Sequence, residues 1–136
     1  MADIAENLTA FLLADTTITA KVGNRVVQDV LAEWKPLPFV WFSRTGTTNE
    51  RCLGETGATP FSHAFAVECI DASIAASQAL ADLVRARIET LANGGALGTQ
   101  TIGNAFCEDQ ADDYIPANAN PNAGEFVATL SMEVYP

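Results

Sequence analysis

Apolar positions along the chain follow a helical period, then a strand period, then each again. Ile4, Leu8, Phe11 and Leu12 recur at three- and four-residue steps behind Asp3 and Glu6, which stand at capping-box spacing. They predict an amphipathic helix over about 3–14. A short helical turn over 16–22 follows, stopped by Gly23-Asn24, and RVVQDV (25–30) reads as extended. Pro36 and Pro38 bracket the entry to FVWFSR (39–44), dense in aromatic and β-branched residues and therefore a strand. In FSHAFAVECI, Phe61, His63, Phe65, Val67 and Cys69 fall on one strand face.

The strongest helical signal comes next. Ile74, Ser77, Ala81, Val84, Ile88 and Leu91 form one stripe, with Leu80 alongside, and Gly94-Gly95 ends it, giving a long helix over about 72–92. Two further strands are predicted, at roughly 99–108 and at 125–135, where Phe126, Ala128, Leu130, Met132 and Val134 alternate with polar residues. Between Arg44 and Pro60 nothing is periodic, so 45–60 is expected to be a long loop or mobile hairpin. YIPANANPNAG is expected to be a second loop. The order predicts an α+β domain: an antiparallel-leaning sheet of four to five strands, packed by the long helix and the N-terminal helix. At 136 residues a single domain, 1–136, is expected.

Charge sharpens this picture. Seventeen acids face seven bases, a net −10, and no Lys or Arg follows Arg87. Glu89, Glu108, Asp109, Asp112, Asp113, Glu125 and Glu133 all lie in that base-free tract. Such a surface repels a phosphate backbone and suits a basic protein partner, or a wall past which DNA slides. No apolar run approaches a membrane span, and MADIAENLTAF lacks the basic start and apolar core of a signal peptide, so a cytoplasmic site of synthesis is expected. Cys52, Cys69 and Cys107 are then reduced thiols, the latter two acting as small core residues.

Specific chemistry is weakly supported. In EDQADDYIP (108–116) four carboxylates crowd six positions, but Ala111 takes an alternate position and no glycine or closing glutamate completes a calcium loop. Cys52, His63, Cys69 and Cys107 match a zinc ligand set in type, but none forms the close pair that seeds such sites. His63 sits among Phe61, Phe65 and Val67, the setting of a satisfied half-buried histidine rather than a general base paired with Cys69. Motifs for nucleophilic serine, phosphate-binding and zinc-protease chemistry are absent from the sequence. Catalytic residues, cofactors and metals are therefore not expected. EDQADDYIP reads as a strand end turning into a loop, and Arg85 and Arg87 as solvated residues able to meet a neighbouring subunit's acids.

Several segments in this order carry a resemblance: LLADTTITAKVGNRV, the proline-entered LPFVWFSR, VECIDAS running into ASQALADLVRARIETL, then CEDQADDYIP and FVATLSMEVYP. Together they resemble the tail-completion, or tail-terminator, proteins of long-tailed bacteriophages and gene-transfer particles. The resemblance implies an α+β virion subunit, assembled with itself into a ring, commonly a hexamer, at the head-proximal end of the tail. That ring ends tube polymerisation and joins tail to head. Its partners would be other copies, the tail-tube protein and a head-completion or connector protein, with DNA passing through the lumen unbound and no membrane involved. The family offers no catalytic residues. By position, interface or lumen residues are expected at Glu108, Asp109, Asp112 and Asp113, and at Arg44, Glu50, Arg51 and Glu55 in and beside the 45–60 loop. The rivals are a head–tail connector or minor tail protein, a small metal-dependent or cysteine/histidine enzyme domain, and a regulatory binding domain.

Overall fold

Ser73 opens the longest helix: its hydroxyl accepts from the Ala76 amide at 3.1 Å, satisfying one of the donors that a helix start leaves free. The computed structural model describes residues 4–28, 37–50, 59–98, 100–115 and 125–135. Three helices lie along it, α1 (Ile4–Leu13), α2 (Thr16–Val22) and α3 (Ile74–Glu89). The strands are β1 (Val26–Gln28), β2 (Phe39–Glu50), β3 (Thr59–Asp71), β4 (Gly95–Leu97), β5 (Gln100–Ile102), β6 (Asn104–Ile115) and β7 (Glu125–Tyr135).

Five strands form one sheet in the order β1-β2-β3-β7-β6. Among the described residues, the β1–β2 pair alone is parallel. β4 and β5 make a separate hairpin, which sequence periodicity did not reveal because each strand has three residues. Its Gly98 turns at φ +63° against the Asn7 side chain of α1, a place where a Cβ has no room. The α+β class and the mostly antiparallel five-stranded sheet agree with the sequence expectation.

The helices share one face of the sheet. Leu8 and Leu12 of α1, Ile18 and Val22 of α2, and Leu80, Val84 and Ile88 of α3 pack with Val40, Phe42, Phe65, Val67, Cys69, Leu130 and Met132. Each large side chain buried here contributes roughly 1.5–3 kcal/mol. Asp15 starts α2 by accepting from the Thr17 and Ile18 amides and the Thr17 hydroxyl. The Thr17 hydroxyl is the main reason that its carboxyl titrates below the ordinary aspartate range. Arg87 binds α3 to α1 twice over, donating to the Phe11 carbonyl at 3.0 Å and stacking 3.8 Å from the Phe11 ring centre. The opposite sheet face carries a smaller cluster, Phe39, Ile70 and Val127, flanked by Leu37 and Trp41.

Four sequence expectations are corrected. The long helix stops at Glu89, where Thr90 caps it and its hydroxyl donates to the Arg87 carbonyl, ahead of Gly94-Gly95. Ile74, expected in the buried stripe, is 49% exposed because it occupies the first turn, beyond the edge of the helix–sheet contact. The strand expected at 99–108 is two strands separated by Gly103, and β6 runs on to Ile115. EDQADDYI therefore forms the outer, C-terminal part of β6 rather than a turn into a loop, held by β7 pairing from Asp109↔Ser131 to Ile115↔Glu125. Of the loop or hairpin expected over 45–60, the ends fit the hairpin: residues 45–50 continue β2 and Thr59 begins β3 in antiparallel pairing with it, while 51–58 fall outside the described residues. The Asp3 capping position, Cys52 and most of YIPANANPNAG also lie outside them.

Candidate assembly surface

β6 is an edge strand, and its acids are distributed by a bulge. Up to Cys107 its pairing with β7 is regular, and Ala105 and Cys107 point to the helix-covered side. Glu108 is then inserted without a partner, and Asp109 pairs with Ser131. Beyond the bulge Gln110 and Asp112 face α3, while Asp109, Ala111 and Asp113 share the other side.

The four carboxylates consequently do not converge. Asp112 accepts from the Gln78 side chain of α3 at 2.8 Å. Asp113 is exposed and lies close enough to Glu68 of β3 to raise that carboxyl, although burial of Glu68 is the larger cause. Asp109 accepts from the Gln110 amide at 2.8 Å. Glu108 faces Glu133 of β7; partial desolvation and then that second carboxylate push its titration upward. Glu133 in turn accepts from the Tyr135 hydroxyl at 2.5 Å, and Tyr135 stacks on Phe106 with ring centres 5.8 Å apart. Among the described residues, no three His, Cys, Asp or Glu side chains are grouped to hold a metal ion.

At the far end of β6 the surface becomes a groove. Asp112, Asp113, Ile74 and Phe126 line an open depression of about 310 Å³ beside the first turn of α3. Its floor is apolar and its rim carries two carboxylates, a combination suited to the stem and head of a long basic side chain. Sequence periodicity missed it because Ile74 fits the buried stripe. Glu68 and Glu133 were visible as acids at polar positions of alternating strands, the one signal available for them.

Other expected site residues lie elsewhere. Arg44 sits on β2 beside a bulge, its guanidinium 5.7 Å from the centre of the Phe65 ring. Its row across the sheet runs Arg44, Phe65, Met132, Cys107, so β3 and β7 separate it from the β6 acids. Glu50 ends β2, while Arg51 and Glu55 lie outside the described residues. Arg85 and Arg87 are engaged within the chain, contrary to the expectation of solvated side chains. Arg85 donates to Gln110 and lies 3.9 Å from Asp82, and Arg87 is held by Phe11.

His63 is half-buried on the Phe65 face. The Cys69 thiol is fully buried and pushed far up by desolvation; that of Cys107, half-buried, is pushed up to about 11. Both are protonated at neutral pH and poor nucleophiles. Among the described residues no helix is long and apolar enough to cross a membrane.

No protein-family model and no curated protein matches the chain. Among solved structures, a chain from the virion of a native gene transfer agent particle matches it with a TM-score of 0.64. The match spans 94% of this chain and 90% of that one, at 19% sequence identity. At that identity the likeness speaks for the fold, and this chain is folded like that component of a gene transfer agent virion.

Proposed function

We propose that the chain is a structural subunit of a phage-like virion, and within it the tail terminator: a ring-forming protein that ends tube polymerisation and joins tail to head. The observation that carries this reading is the match, over nearly the whole of both chains, to a component of a gene transfer agent virion. The segment order resembling tail-completion proteins supports the finer assignment. A ring around the DNA path repels the genome if its wall is acidic, and β6 with its neighbour β7 supplies Glu108, Asp109 and Glu133 for such a wall. A structural role also suits thiols held in their protonated form.

Electron microscopy of particles made without this protein tests the assignment. Overlong tails are expected of a missing terminator. Tails of normal length that fail to attach to heads would instead make it a connector, and intact, infectious or transfer-competent particles would remove it from the virion altogether.

A further inference from the structure

Strand register places two oppositely charged corners of the molecule at the same height. Val26, Val40, Cys69, Ala128 and Asp112 form one continuous row across all five strands. Four inter-strand steps make that row roughly 19 Å wide. At its β6 end stand Asp112, Asp113 and the groove with Ile74 and Phe126. At its β1 end Arg25 immediately precedes Val26. Its Nε donates to the Pro38 carbonyl at 3.0 Å and its terminal nitrogen to the Lys21 carbonyl at 3.4 Å, which fixes it beside the exposed Lys21 at the end of α2.

We infer that copies of this chain join edge to edge, the Asp112–Asp113 groove of one receiving Lys21 and Arg25 of the next. This inference rests on the ring reading above and names the contact that builds the ring. Three observations select a second copy in this orientation as the occupant. The charges are complementary, and the two corners share a row, so a rotation about an axis running along the strands brings them together. Pairing β6 with β6 of another copy is opposed, because it sets a run of four acids against itself. A contact between unlike edges repeats from copy to copy and closes into a ring when the rotation allows. In the groove, the aliphatic stems of the basic residues cover Ile74, 49% exposed in the single chain, and Phe126. The charge pairs fix register and speed the encounter.

The test is native mass spectrometry and sedimentation velocity of the full chain over a range of concentrations, at low and high salt. Wild type is expected to assemble. D112K/D113K and K21E/R25E are each expected to raise the half-assembly concentration by about tenfold or more. Joining all four substitutions in one chain should restore assembly, as should mixing the two double variants, in which both kinds of contact are again complementary. K21E alone alters an exposed residue and tests the contact without touching the Asp112–Gln78 or Arg25–Pro38 hydrogen bonds; circular dichroism checks the fold of every variant. If wild type assembles and the folded variants assemble equally well, the contact is wrong and the ring stands. If wild type stays monomeric at every concentration, ring and contact fail together.

Discussion

The two faces of the sheet are built from the same strands and do opposite work. On the covered face, Phe42, Phe65, Val67, Cys69, Leu130 and Met132 are buried under three helices. On the other, Ser43, Ala64, Ala66, Glu68, Thr129, Ser131 and Glu133 occupy the alternate positions of the same central strands, half-buried or exposed. Small residues keep that stretch of the face flat, while Phe39, Ile70 and Val127 bury a smaller cluster at one end of it. Its acids cannot favour stability through burial, since a half-buried carboxylate loses hydration without gaining a cation. One face therefore holds the subunit together, while the other tolerates charge and leaves room for neighbours.

That contrast can be broken most severely at Phe65. Phe65→Ala removes the ring that meets Phe42 edge-on at 6.1 Å, and is expected to cost about 3–5 kcal/mol in denaturant unfolding. A loss under about 1 kcal/mol would show that the covered face is not the core. In the helix layer, Arg87→Ala should cost about 1–2 kcal/mol, the combined scale of a cation–π contact and a hydrogen bond.

On the open face the sign reverses. Burial, helped by Asp113, raises the folded-state titration of Glu68 above its unfolded value. Glu68 therefore supports folding most fully below the ordinary glutamate range, and that support is lost as pH rises through the raised value. Glu68→Gln should flatten this part of the stability–pH curve and add about 0.5 kcal/mol at neutral pH, a figure discounted for the group's exposure. A variant less stable than wild type at neutral pH would mean that the carboxylate has a favourable partner. The mildest probe is Ala66→Ser, expected to move stability by less than about 0.5 kcal/mol; a larger loss would mean that this face is tightly packed as well.

How much was readable beforehand follows from the same contrast. Val67, Cys69 and Leu130 announce the covered face because burial imposes a period on sequence. β6 was misjudged because its outer half pairs on one side only and meets little of the core, so nothing compels apolar alternation in EDQADDYI. The groove depends on Ile74 lying past the end of a contact, a matter of helix placement that no spacing encodes. Lys21 and Arg25 share a height with Asp112 through the parallel β1–β2 pairing, a long-range fact invisible in either local segment.

The inserted Glu108 governs how β6 can vary. A strand without an inserted residue is a rigid alternator: moving one side chain to the far side moves them all. The insertion uncouples the first four residues of β6, which Ala105 and Cys107 anchor in the core, from the charged run beyond. Pairing Glu108 in a regular ladder instead would force one half to turn over, either pulling Ala105 out of the interior or taking Asp112 away from Gln78. With the bulge in place, the outer half can exchange its charges while the inner half keeps its packing. A surface that must suit its neighbours can thus diverge on a strand whose root stays unchanged.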